Sequence, residues 1–340
     1  MLGRALRGEV KPRHKIKRVH RLLGNSKFRP GRVMAGLCRE AAGRLGALVI
    51  SLDWVEIGGG RRALVASACT RRGRALPVAW RVVSSNRFHQ SQNAVEDRFA
   101  EHLSQLVDVE RSCLIADRGF RRASFLALLD SLGFGYVIRV SGKVHVRSRK
   151  HRGLLEDCGL REGGRDDLGF LDYREDGLVR TRVVWHYMRA HDDPWLLATN
   201  LRDKSVKKLC EIYSRRMQEE ETFRDLKSHR YGFALRYVKL SASERYERPM
   251  AIWAMGTWIF YAQGHAAVEA GRHHGLSTAP NSRIDLSLVR IGHLLLPLKL
   301  GSPQSLFEGL APCPPKFVGR TQPPSPLTRS PPGDIVPVAI

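Results

Sequence analysis

Ala47-Leu-Val-Ile-Ser-Leu-Asp53-Trp-Val-Glu-Ile57 is the stretch from which the rest of the chain can be read. Its apolar run bounded by Gly58-Gly59-Gly60 predicts a buried strand ending in a tight turn. Asp53 falls in the middle of that strand, where an unpartnered carboxylate would be costly to bury. Ala63–Thr70 and Ala75–Val83 read as two further strands around Gly73, and Gln92–Val107 has helical periodicity. Ser112–Ala116 is another short apolar strand, ending at Asp117-Arg-Gly-Phe120; Ala123–Leu132 reads as a helix and Tyr136–Val140 as a strand. The order β-β-β-α-β-α-β, with one Asp in the first strand and another at the end of the fourth, is that of a ribonuclease-H-like core. The expected fold class is therefore α/β: a mixed sheet flanked by helices, with an inserted β-rich subdomain and C-terminal helices.

The 340 residues suffice for a sizeable core, and 43% hydrophobic with 26% charged residues is ordinary for a globular protein. The charge balance is not. Fifty-seven Lys and Arg against 33 Asp and Glu give +24 and a pI near 10.5, which fits a polyanionic partner. Residues 1–45 carry thirteen Lys and Arg against two acids, a basic arm in which Ile16, Val19, Leu22 and Leu23 follow a helical period. Six scattered cysteines without a CxxC pair argue against a zinc site or a disulfide scaffold and suit a reducing cytoplasm. Pro249–Val268 is long and apolar enough to raise a membrane helix, but Gln263, His265 and two Gly favour a buried core helix, and no membrane partner is expected. The segments read as 1–45 basic arm, 46–141 first part of the core, 142–201 β-rich insertion, 202–300 core completion with helices, and 301–340 a Pro-rich disordered tail.

A second stretch carries the chemistry: Tyr213-Ser-Arg-Arg216-Met-Gln-Glu-Glu220-Glu-Thr-Phe-Arg-Asp-Leu-Lys227. With no Gly or Pro from Lys207 to Lys227, it reads as one long helix on which Tyr213, Arg216, Glu220 and Lys227 fall within roughly 60° of one another. The bland reading is a solvated helix with i,i+4 ion pairs such as Arg216 with Glu220. For Asp53 the bland reading is a carboxylate met by backbone donors, and for Asp117-Arg-Gly a turn or cap. Taken together, Asp53, Asp117 and Glu220 have the makeup of a hard-oxygen ligand set. Phosphodiester chemistry at neutral pH needs a water or 3′-hydroxyl deprotonated and charge stabilised on two oxygens, which two Mg²⁺ ions held by such carboxylates supply.

On these residues the chain resembles the DDE transposases of the insertion sequence four family, whose Tyr-x2-Arg-x3-Glu-x6-Lys pattern is met by Tyr213, Arg216, Glu220 and Lys227. Ser-Leu-Asp53-Trp and Ile-Ala-Asp117-Arg-Gly-Phe120 resemble that family's two Asp motifs, and the likeness covers roughly residues 45–300. The resemblance implies catalytic and metal-binding roles for Asp53, Asp117 and Glu220, and two Mg²⁺ ions, with Mn²⁺ able to substitute. It implies that Tyr213, Arg216 and Lys227 grip DNA phosphate, and that Trp185 or Trp195 handles a flipped base. It implies a homodimer acting on double-stranded DNA, both the terminal inverted repeats of its own element and the target. Tyr213 as a covalent nucleophile is set aside, because its spacing to a metal-binding Glu favours phosphate contact. The region before the first Asp strand is shorter than the family's usual one. That keeps two other readings open: a truncated, non-catalytic DNA-binding inhibitor of a full-length transposase, or a ribonuclease-H-like repair nuclease.

Overall fold

The computed structural model describes residues 10–71, 73–85, 88–149, 151–189, 192–228, 233–276 and 286–295. The chain divides into two compact units. The first takes residues up to 44, 54–92 and those from 218 on; the second takes 45–53 and 93–217. Ten strands and eight helices are described, and the α/β class read from the sequence is borne out.

In the first unit, β1 (Leu48–Ile57) completes its course and turns through Gly58–Gly60 into β2 (Arg61–Ala68), which pairs antiparallel with β3 (Leu76–Ser84). The glycines are required by crowding. A Cβ on Gly58 would lie 2.4 Å from the Val238 carbonyl oxygen, and the Gly58 N–H donates to Leu235 O at 3.1 Å. The basic arm forms two helices, α1 (Pro12–Gly24) and α2 (Pro30–Leu45), where one was expected. The long α7 (Ser243–Glu269) packs on β3, with Trp258 Nε1 donating to Pro77 O at 3.0 Å. Among the described residues no helix is long and apolar enough to cross a membrane.

Helix α8 (Leu288–Leu295) lies against α7 by way of two glycines. A Cβ on Gly264 would stand 1.8 Å from Leu288 O, and one on Gly292 1.8 Å from Phe260 O. No L side chain fits either gap without moving a helix, so close approach outweighs the roughly 1 kcal/mol that Gly costs inside a helix.

The second unit holds a sheet in the order β1-β4-β5-β10-β9-β8-β6-β7, with β4 (Ser112–Ala116), β5 (Gly135–Arg139), β9 (Leu178–His186) and β10 (Trp195–Thr199) at its centre. β1, β4 and β5 run parallel; β10 pairs antiparallel with β5, and β9 with β10. The strands β6 (His145–Arg147), β7 (Arg152–Leu154) and β8 (Arg165–Arg174) thus extend the same sheet. Helices α3 (Phe88–Ser104), α4 (Ala123–Leu132) and α5 (Val206–Ser214) belong mostly or wholly to this unit, and α4 and α5 pack on its strands.

The stretch 207–227, expected as one helix, is two: α5 ends at Ser214 and α6 (Met217–Lys227) begins after a turn at Arg215-Arg216. At the break Arg215 N donates to Ile212 O at 3.3 Å and Arg216 N to Tyr213 O at 2.9 Å, the tightened i→i−3 bonds of a helix end. Each half buries its own face, Leu209, Ile212 and Tyr213 on α5 and Thr222, Phe223 and Leu226 on α6. A straight rod would have put those faces about 100° apart. Of Tyr231–Val238, expected as extended, the described part carries a 3-10 turn at Leu235–Tyr237, and the first two residues lie outside the described residues. So does the Pro-rich tail.

Burial pushes the Glu247 carboxyl up to about 7 from its ordinary 4.5, against the Val82 N–H that donates to Oε1 at 2.9 Å. The unfolded chain then ionises first, so stability falls as pH rises from about 4.5 to 7 and stays low above it. Glu247→Gln, which keeps the acceptor, is expected to raise stability at pH 8 by up to about 3 kcal/mol and to change little at pH 4. Urea unfolding at the two pH values measures this. Gly292→Ala is expected to cost about 2 kcal/mol or more, read as a drop in thermal midpoint.

Candidate active site

The parallel pairing of β1 with β4 sets Leu52 opposite Ala116, so the next residue on each strand is an aspartate. Neighbouring strands lie about 4.8 Å apart, which brings the Asp53 and Asp117 backbones alongside at the same end of the sheet. Asp117 leaves β4 in extended conformation and accepts the Gly119 N–H at 2.8 Å, capping the turn Arg118–Phe120. The cap reading thus holds for this residue. Asp53 meets Arg216, whose Nη1 stands 3.4 Å from Oδ2, the two side chains being 17% and 20% exposed.

Helix α5 delivers Tyr213 and the turn after it delivers Arg216. Ser205 caps the helix by accepting the Lys208 N–H at 3.3 Å. The segment leading in is tied down by Arg182, nearly buried on β9, whose Nη1 donates to Leu201 O at 2.8 Å and Lys204 O at 2.9 Å while Asp167 takes its Nη2. Tyr213 is 3% exposed, with the Trp195 ring edge-on at 5.0 Å between centroids. Burial raises the phenol's pKa and nearby Asp117 adds to it; Arg216, which hydrogen-bonds the side chain, and Arg139 act the other way. Trp185, the other Trp weighed for base handling, is 6% exposed.

Four of the six candidate residues, Asp53, Asp117, Tyr213 and Arg216, therefore gather in the second unit. Glu220 and Lys227 are on α6, where both are exposed, and from Gln218 on this helix belongs to the first unit. Among the described residues, no group of three or more His, Cys, Asp and Glu is close enough to hold a metal ion. In the second unit Asp53 and Asp117 follow neighbouring positions of two paired strands, Asp53 ion-paired with Arg216 and Asp117 accepting the Gly119 N–H.

Helix α6 is fastened to the β2–β3 hairpin by polar bonds that the spacing of the acids did not reveal. The Gln218 amide accepts the Thr70 N–H at 2.9 Å and donates to Thr70 O at 3.0 Å, as a strand would. Glu219 is fully buried and accepts from Ser67 Oγ at 2.9 Å. Thr222 Oγ1 donates to Ala75 O at 2.8 Å, and Arg74 bridges Glu221 at 3.2 Å and Asp225 at 2.7 Å. The sequence offered only a weak signal, the run Glu219-Glu220-Glu221, whose three side chains spread over about 200° of the helix circumference. Arg139, at the end of β5, was also not singled out; nothing in its sequence context marks it.

This is a mixed sheet flanked by helices, with Asp53 within β1 beside Asp117 just past the end of the parallel strand β4. It defines an α/β protein of the ribonuclease-H-like kind. Residues 72–246, just over half the chain, match the family described as "Transposase DDE domain", and the chain belongs to that family. The matched residues include Asp117, Tyr213, Arg216, Glu220 and Lys227, and begin after Asp53. Comparison with curated proteins gave no match.

The two neighbouring acids on α6 separate by burial. Glu219→Ala, which strips Ser67 of its partner and leaves a void, is expected to cost about 2 kcal/mol. Glu220→Ala, on the exposed face, is expected to stay within about 0.5 kcal/mol of the parent. Chemical denaturation of the two variants compares them directly.

Proposed function

We propose that the protein is a DNA transposase that cleaves phosphodiester bonds at the ends of its own element and joins those ends to target DNA, with Mg²⁺ as cofactor. The observation that supports this reading is the register that sets the backbone of Asp53, within β1, beside that of Asp117 at the end of β4. The spacing of Tyr213, Arg216, Glu220 and Lys227, the net charge of +24 and the family support it.

In this reading Asp53 and Asp117 are two of the carboxylates that hold the cation, and Glu220 is the third by the spacing of its motif. Bound Mg²⁺ supplies Lewis acidity, activating the attacking water or 3′-hydroxyl and stabilising the leaving oxygen; two such ions are proposed. Arg216 is the cation nearest the aspartates, and its guanidinium suits the bidentate grip of a phosphate oxygen pair. Tyr213 is nearly buried and hydrogen-bonded to Arg216, so it acts on phosphate through that guanidinium by holding it in place. Lys227, exposed at the end of α6, adds a point charge for the backbone. The chemistry passes through no covalent protein–DNA link, and the active form on DNA is a homodimer bound to terminal inverted repeats.

With a duplex carrying the element's end and Mg²⁺, the full chain is expected to nick at the end. Asp117→Asn and Glu220→Ala are each expected to lower nicking by about 10³-fold or more while retaining DNA binding. Nicking that persists in both variants would remove the assignment. Cutting governed by DNA structure, whatever the end sequence, would make the protein a repair-type nuclease instead.

A further inference from the structure

The first unit contains a cationic depression that the proposed chemistry does not use. It lies where the C-terminal end of α1 meets the start of α7, has a volume of about 580 Å³, is open to solvent, and is lined by His20, Arg21, Gly24, Glu244, Arg245 and Arg248. Three guanidiniums and an imidazole thus surround one carboxylate. Among the described residues no carboxylate pairs with Arg21, Arg245 or Arg248. Elsewhere in the unit Arg74 is matched with Glu221 and Asp225, and Arg62 with Glu56.

The bonds that do exist shape the depression without neutralising it. Arg248 Nη1 donates to Leu23 O at 2.9 Å, a cation on one of the last carbonyls of α1, which is a structural use of that residue. Arg245 Nη2 stands 3.2 Å from His20 Nε2, a contact that places the guanidinium without a carboxylate. Glu244 sits in the first turn of α7, where the helix dipole favours an acid. Along α1, Arg13, Lys17 and Arg21 are spaced four residues apart, and with His20 and Gly24 they fall within roughly 100° of the helix circumference. From Arg13 to Arg21 the helix rises about 12 Å. That is long enough to reach more than one phosphate of a DNA strand. The helix has no acid to offset this stripe.

The geometry points to a phosphate clamp: Arg21 and Arg245, with His20, hold a backbone phosphate of duplex DNA in the depression, and Lys17 and Arg13 continue along the same strand. The ligand is the sugar–phosphate backbone, whatever the base sequence: apart from Glu244, whose charge opposes an anion, the groups that line the depression are cations or N–H donors suited to phosphate oxygens. This deepens the proposed function, since it rests on DNA being the substrate, and places a binding surface on residues outside the carboxylate site.

The test is fluorescence anisotropy of the full chain on a duplex of arbitrary sequence, repeated from 50 to 300 mM salt. Arg21→Gln with Arg245→Gln is expected to weaken binding about tenfold and to reduce the slope of log affinity against log salt by about 2. Glu244→Gln, which removes the one opposing charge, is expected to tighten binding about two- to threefold, an effect that damage to the fold would not produce. If the parent chain binds DNA but affinity and salt slope are the same in the Arg variant, the clamp is wrong and the transposase reading stands. If the parent does not bind DNA at all, both fall. Free inorganic phosphate competing as well as DNA at equal phosphate, or anionic vesicles binding in preference to it, would overturn the clamp by showing a small-anion or a lipid surface.

Discussion

Parallel pairing of β1 with β4 is the constraint on which the site depends. The side-chain period of a strand is two, so a one-residue slip would turn Asp53 to the other face while leaving Asp117 where it is. The register is held by what the strands bury: Leu48, Ile50 and Leu52 on β1 and Cys113, Leu114, Ile115 and Ala116 on β4 are all nearly inaccessible to solvent. Apolar packing thus fixes the alignment of two carboxylates that would otherwise repel each other. At the point where the repulsion would be felt, each has a compensating partner, Arg216 for Asp53 and the Gly119 N–H for Asp117.

A second device governs α6. Its fastening to the β2–β3 hairpin is polar almost throughout: the Gln218 amide on the Thr70 backbone, Glu219 on Ser67, Thr222 on Ala75 and Arg74 across to Glu221 and Asp225. Hydrogen bonds are directional where apolar contacts are not, so this arrangement fixes rotation about the helix axis as well as distance. It places Glu219 inward and Glu220 outward. The inward acid has a mechanical use and the outward one is exposed, a difference between adjacent identical residues that composition could not show.

Much of this was legible in the sequence where a local rule and the tertiary fold agree. Ser112–Ala116 and Ala123–Leu132 have the limits their apolar runs and flanking residues predict, and Gly133 ends the helix with the positive φ that glycine accommodates. The long α7 was legible for its apolar length, and Asp53 and Asp117 for their places relative to strand ends. The break at Arg215-Arg216 was not legible, because neither residue is a helix breaker and propensity is a weak prior against packing. The two halves bury different faces, and that demand comes from strands far off in sequence. The pairing of β10 with β5 was hidden for a related reason, since a five-residue apolar strand does not declare its neighbour.

The break has a chemical consequence. In an unbroken helix Arg216 would project from the middle of a rod and share a stripe with Glu220, where an i,i+4 ion pair would neutralise both groups. In the folded chain Arg216 occupies the turn between α5 and α6, hydrogen-bonded to a buried tyrosine and facing the carboxylate of Asp53. A side chain at a turn, anchored at one end by Tyr213, has its guanidinium set by the sheet that carries the aspartates. A cation fixed beside the Asp53 carboxylate lowers the cost of holding that charge part-buried, and in the proposed reading it is the group that meets the phosphodiester. On that argument the turn that interrupts the helix belongs to the proposed chemistry, and the position of Arg216 within it matters more than the angular stripe that first drew notice to it.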